Sequence, residues 1–105
     1  MSPAVADSRA LRIETNAQGV VAVHGAITFY NAADALRAAP LTSRDGRLDV
    51  DLSALADADS VSLAVLIAWV AQARARGADL RYLNAPQGLR NLAHLSDVDG
   101  LLGLN

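Results

Sequence analysis

The densest group of chemistry-bearing side chains in this sequence is Asp49, Asp51, Asp57 and Asp59, followed at once by Ser60. Asp49 and Asp51 alternate with Val50 and Leu52, so they share one face of a strand end. Two carboxylates so placed could hold a cation, and a solvated strand end and turn uses the same residues. Ser60 stands where a long, nearly uncharged helix is expected to start. There, unpaired backbone N–H groups and the positive end of the helix dipole point outward. A hydroxyl at such a point can cap the helix, carry a phosphate, or be read by a partner. A phosphate would add about −1.5 to −2 charge, which the N–H groups would favour and Asp57 and Asp59 would oppose. Capping by the Asp59-Ser60 pair needs no further function.

Catalysis needs more than a hydroxyl. The two histidines, His24 and His94, belong to no metal-spaced cluster such as HExxH. No GxSxG elbow surrounds Ser60, which is followed by Val61 and Ser62. Gly19, Gly25, Gly46, Gly77, Gly88, Gly100 and Gly103 are scattered as turn and cap residues rather than gathered into a phosphate loop. The sequence therefore points to no enzyme, no cofactor and no metal.

The elements that must position these groups follow from periodicity. Ala10–Thr15 and Val20–Val23 are short apolar runs around Asn16-Ala17-Gln18-Gly19, a hairpin pattern. A helix is expected at about Phe29–Ala39, with Thr28 as N-cap and Pro40 as its stop. Thr42–Gly46 reads as a loop and Arg47–Leu52 as the central strand. Ser60–Arg76 is the long helix, closed by Gly77. Ala78–Leu83 is a further strand, and Pro86 opens a helix to about Leu95. Ser96–Gly100 breaks it, and Leu101–Leu104 forms a short apolar end. The order β-β-α-β-α-β-α implies an α/β fold, a mixed sheet of about four strands with helices packed on it.

Composition bounds the rest. The 105 residues suit one domain. Residues 1–9 are expected to be a loose tail, and 10–105 the folded unit. Hydrophobic residues make up 52% and aromatics only 4%, so Leu, Val, Ile and Ala must build the core. Nine basic against eleven acidic residues, all the basic ones Arg, leave no basic stripe for nucleic acid. Cysteine is absent, which excludes disulfides and thiolate metal sites. Met1–Arg9 lacks the apolar segment of a signal peptide. The longest apolar run, Leu63–Ala71, falls short of the roughly 20 residues that span a bilayer. The expectation is a cytosolic protein, or one peripheral to a membrane through a partner.

The long helix is apolar on two sides. At about 100° per residue, Leu63, Leu66, Ile67, Val70 and Ala73 form one stripe, expected to face the sheet. Roughly opposite lie Val61, Val65, Ala68 and Trp69. An apolar patch rimmed by polar groups often marks a partner surface, and Trp is enriched at interface hot spots. The alternative cover is the chain's own first helix or its C-terminus, and the pattern alone leaves both open. A further alternative is that the isolated domain pairs with a second copy through Trp69.

The strand ending Asp51-Leu52-Ser53, the turn to Asp59-Ser60, the apolar helix to Arg76-Gly77 and the strand with Leu80 and Leu83 together resemble a STAS domain. The hairpin and Gly25-Ala26-Ile27-Thr28 also fit, so the resemblance runs from about Ala10 to the end. Asp-Ser at the start of the long helix is its most telling motif. Within the family the short chain, Gly25-Ala26-Ile27-Thr28-Phe29, the helix running into Ala-Arg-Ala-Arg-Gly, and NAPQGLRNLAHL at Asn84–Leu95 are similar to the MlaB-like group. These are cytosolic subunits of phospholipid transporters that maintain outer-membrane lipid asymmetry.

That resemblance implies a non-catalytic accessory subunit that binds and supports the ATPase of an ABC transporter, and through it the permease. It implies a cytoplasmic location, peripheral to the inner membrane through the complex. It also implies partner contacts through Thr28, Asp59, Ser60, Val61, Ala64, Val65, Ala68 and Trp69. The other branch of the family implies an anti-sigma factor antagonist, in which Ser60 is phosphorylated by a kinase that is also the anti-sigma factor. There the motif typically continues with small residues, whereas here Val61-Ser62 follows.

Overall fold

The structure, a computed structural model, describes residues 11–38 and 46–104. The expected tail 1–9, the residues Ala39 and Pro40 proposed to end the first helix, and most of the Thr42–Gly46 loop lie outside the described residues. Among the described residues four strands form one sheet in the order β1-β2-β3-β4: β1 Arg12–Thr15, β2 Val21–His24, β3 Arg47–Asp51 and β4 Asp79–Leu83. β1 runs antiparallel to β2, and β2, β3 and β4 are parallel. The sheet is thus mixed, as expected. The hairpin turn is held by Asn16, whose Oδ1 accepts from the Gln18 and Val20 N–H groups at 2.9 and 3.0 Å. Gly19 takes a φ of +85° there, open to a residue without Cβ.

Among the described residues four helices complete the fold: α1 Ala32–Arg37, α2 Ser60–Ala75, α3 Gln87–Leu95 and α4 Asp99–Leu102. α2 packs on the sheet, and α1, α3 and α4 each pack on α2. Strand alternation sets the two faces of the sheet. Val21, Val23, Leu48, Val50, Leu80 and Tyr82 are buried on the inner one, together with Leu63, Leu66 and Ala73 of α2. Ile67 and Val70, expected on the same stripe, are half-buried against this core. The outer face is polar, with Arg12, Glu14, His24, Asp49, Asp51 and Arg81, so it can face water without a covering layer.

Two boundaries depart from the sequence expectations. α1 begins at Ala32 rather than Phe29, with Asn31 at its N-cap and without a side-chain cap bond. Thr28 instead organises the turn before it: its Oγ1 accepts from the Tyr30 and Asn31 N–H groups. Pro86 is the N-cap of α3 rather than its first residue. The apolar end Leu101–Leu104 falls partly in α4, which closes on Gly103 at φ +69°. α2 matches its expected span to within a residue, and Gly77 follows it at φ +81°.

Candidate functional site

The three parallel strands end on the same side of the sheet, where open α/β sheets place their sites. Their following loops are stitched together. The Gly25 N–H donates to the Ala54 carbonyl at 3.2 Å, and the Ala56 N–H to the Gly25 carbonyl at 2.8 Å. Asp51 Oδ1 accepts from the Ser53 N–H at 3.0 Å and from Asn84 Nδ2 at 3.2 Å, joining the ends of β3 and β4. The Ser53 backbone bond is the main cause that holds the Asp51 carboxyl below its usual range. Asp51 is thereby a structural turn residue. Asp49 shares its face, as the alternation predicts, but makes no hydrogen bond through its buried Oδ1 among the described residues. No group of three or more potential metal ligands occurs among the described residues.

The start of α2 is fixed by a capping box. Asp59 is the N-cap, and its Oδ1 accepts from the Ser62 N–H at 3.0 Å. The Asp59 N–H donates in return to Ser62 Oγ at 3.3 Å. Ser62 is fully buried, and its hydroxyl donates across the fold to the Ile27 carbonyl at 2.9 Å. Capping therefore falls to Asp59 and Ser62 rather than to the Asp59-Ser60 pair. Ser60 is left exposed, and its hydroxyl makes no hydrogen bond among the described residues.

The second apolar side of α2 divides in two. Val65 and Trp69 are buried, Trp69 with 0% exposure, and the indole Nε1 donates to the Ala35 carbonyl of α1 at 3.0 Å. The cover is the first helix. Trp69 offers no surface to a partner or to a second copy, which corrects the expectation that it forms a contact. Ala64 is exposed, and Val61 and Ala68 are half-buried. With Ser60 they form one wall of a shallow apolar concavity of ≈ 350 Å³, Ala32 and Leu36 of α1 form the other, and Val65 lies at its base. Of the expected contact residues, the structure thus gathers Ser60, Val61, Ala64 and Ala68 on one open surface. Asp59 borders it as the cap, and Thr28 acts from within the preceding turn.

Fold and motif together decide the family. The profile of the family described as "Mlab, STAS domain" matches residues 11–103. The chain belongs to that STAS family. No curated protein matches it. Among solved structures, this STAS domain is similar to an anti-sigma factor antagonist from Mycobacterium paratuberculosis, at 24% identity and a TM-score of 0.65, covering 87% of this chain and 80% of that one. It is also similar to an antisigma-factor antagonist STAS domain from Rhodobacter sphaeroides, at 22% identity and a TM-score of 0.57, covering 71% of this chain and 85% of that one. Both likenesses concern the fold.

Sequence reasoning missed one feature of this surface. Phe29 and Tyr30, expected to open a helix capped by Thr28, stand instead on the turn before α1, 79% and 94% exposed. Their rings meet edge-to-face at 5.8 Å. The available signal was Thr28 and Asn31 around them, a pair well suited to a side-chain-bonded turn.

Proposed function

We propose that this STAS domain is a non-catalytic accessory subunit that binds and supports the ATPase of an ABC-type phospholipid transporter maintaining outer-membrane lipid asymmetry. The observation that carries the reading is the setting of Ser60. Its hydroxyl sits on the lip of an apolar concavity with Val61, Ala64 and Ala68, a surface suited to being covered by protein. Val61 adds apolar bulk where the phosphorylated branch of the family typically carries a small residue. Docking there would favour the folded, active arrangement of the ATPase through binding energy alone. No helix among the described residues is long and apolar enough to cross a membrane, so membrane association would come through the complex.

A second reading, an anti-sigma factor antagonist phosphorylated on Ser60, is favoured by the exposed hydroxyl at the helix start, and the two similar solved structures carry the name anti-sigma factor antagonist. Affinity purification of the full chain from detergent-solubilised native cells separates the two. Recovery of an ABC ATPase with its permease, reduced by Ser60→Asp, supports the transporter subunit. Recovery of a soluble kinase, with a species heavier by about 80 Da that Ser60→Ala abolishes, overturns it.

A further inference from the structure

β4 is the last strand of the sheet, paired on one side only, to β3, among the described residues. Its free edge can be read residue by residue. The Asp79 N–H donates to the Gly46 carbonyl at 2.7 Å, and the Leu83 carbonyl accepts from the Leu52 N–H at 2.9 Å. Backbone groups of alternate residues turn to the same side of a strand, so Asp79, Arg81 and Leu83 serve the β3 ladder. Leu80 and Tyr82 turn their N–H and C=O groups away from β3, where they find no partner among the described residues. Their side chains are buried, and Tyr82 Oη donates to the Leu66 carbonyl at 2.7 Å, which holds the strand firmly in place. Natural edges are commonly blunted by Pro, a bulge or an inward charge. β4 has none of these: its register with β3 runs unbroken from Asp79 to Leu83, and its inward residues are Leu80 and Tyr82. Beside it lies a groove of ≈ 380 Å³ whose lining includes Gly100 and Gly103. A Cβ at either glycine would meet nothing within 4 Å, so there is room beside the edge.

The charges decide what fits this edge. Asp79 and Arg81 are exposed on the outer face of β4 and opposite in sign. In the β3 register Arg47 stands beside Asp79, and Asp49 beside Arg81. None of these side chains is in an ion pair among the described residues. We propose that β4 pairs antiparallel with β4 of a second copy, about a two-fold axis at Leu80, and joins two sheets into one. In that register Leu80 meets Leu80 of the second copy on the inner side, and Asp79 meets Arg81 of the second copy on the outer side. The outer row then alternates in sign: Arg47, Asp79, Arg81 of the second copy, Asp49 of the second copy. The two-fold axis repeats that row in the other direction. The Leu80 N–H donates to the Leu80 carbonyl of the second copy, and the Tyr82 N–H to its Ala78 carbonyl, each bond made twice. Other axes that keep the two faces of the sheet fit worse. An axis at Asp79 or Arg81 sets like charges directly opposite, which is destabilising. An axis at Tyr82 sets Arg81 against Leu83 and Asp79 against Ala85, so neither charge is answered. A strand of another protein would have to carry the same alternation, whereas a second copy supplies it by symmetry. No residue of this groove lines the Ser60 concavity, so the pairing is independent of the docking reading.

The test is sedimentation velocity of the purified full-length chain over about 1 to 500 µM, with circular dichroism to confirm that each variant is folded. The wild type is expected to form a dimer with a dissociation constant in the micromolar range, as suits a short edge contact. Asp79→Arg and Arg81→Asp each set like charges opposite one another twice, and each should weaken the dimer at least about tenfold. The double variant Asp79→Arg/Arg81→Asp exchanges the signs and should restore the dimer to within a few-fold of wild type. Amide hydrogen exchange followed by NMR gives a second readout that needs no variant. The Leu80 and Tyr82 amides should gain protection as concentration rises, while the Asp79, Arg81 and Leu83 amides stay protected throughout. A wild type that is monomeric over the whole range overturns the proposal. So does a dimer that both single variants leave intact, or a folded double variant that stays monomeric. If a substitution unfolds the chain, the exchange measurement decides: Leu80 and Tyr82 protection that does not change with concentration overturns the pairing.

Discussion

Ser62 and Ser60 stand two residues apart, and the structure gives them opposite duties. In Ser62→Ala the Ser62 N–H keeps its bond to Asp59, but the hydroxyl bonds vanish. The buried Ile27 carbonyl loses its Ser62 donor. Leaving a buried acceptor unpaired costs about 1–3 kcal/mol. Loss of the reciprocal half of the capping box adds about 0.5–1 kcal/mol. The methyl group offsets little, because Ser62 is already tightly enclosed. The total of roughly 1.5–4 kcal/mol corresponds to a fall of about 7–18 °C in Tm for a chain of this size. Ser60→Ala removes an exposed hydroxyl without a hydrogen bond among the described residues, so its effect should stay within about 0.5 kcal/mol, or about 2 °C. Urea unfolding followed by far-ultraviolet circular dichroism measures both. If Ser62→Ala stays within about 0.5 kcal/mol of wild type, the hydroxyl does not tie α2 to the Ile27 carbonyl.

Trp69→Phe removes the indole bond to the Ala35 carbonyl and leaves unfilled space under α1, so it should cost about 2–4 kcal/mol in the same unfolding assay. Gly77→Ala should cost about 1 kcal/mol, wholly through backbone strain at φ +81°, because an added Cβ would meet nothing within 4 Å. His94 Nδ1 lies 3.0 Å from Asp99 Oδ2, and this hydrogen bond raises the His94 pKa above 6.5 while lowering that of Asp99 below 3.8. The contribution from His94 is complete below about 6.5 and fades as pH rises through its raised value. The contribution from Asp99 is present above about 3.8 and fades as pH falls through its lowered value. An NMR titration of the His94 ring should therefore show a midpoint above 6.5 that Asp99→Asn returns toward 6.5.

The parts of the fold written in local pattern were legible. Alternation in Arg47–Asp51 placed β3 and the shared face of Asp49 and Asp51, and Asp59 and Gly77 bracketed α2. The polar turn closing on Asp59-Ser60 before a long apolar run located Ser60 at the helix start. What stayed hidden depends on contacts distant in sequence. A helical wheel shows that Val65 and Trp69 share an apolar side of α2, but not that Ala35 of α1 lies over them. The run Ile27-Thr28-Phe29-Tyr30 looks like the entrance of a helix, because a Thr that caps a helix and a Thr that closes a turn read alike in sequence. Asn31 decides the matter through its bonds to Ala26 and Thr28, and that closes a turn where a helix was expected.

The two apolar sides of α2 also resolve into a division of labour. Residues four apart form ridges along a helix. Val61, Val65 and Trp69 make one ridge, whose later part lies under α1 and serves stability. Ser60, Ala64 and Ala68 make the adjacent ridge, beside α1 rather than beneath it. Its side chains are small, so a partner's backbone can come close to the helix over two turns. Substitutions at Val65 and Trp69 should lower stability, and those at Ser60, Val61, Ala64 and Ala68 should alter association, since the buried and open parts share a helix but not a neighbour. Charge at Ser60, whether from phosphate or Asp, enters the second ridge at its exposed end. It can therefore act on docking while the capping box of Asp59 and Ser62 keeps the helix start in place.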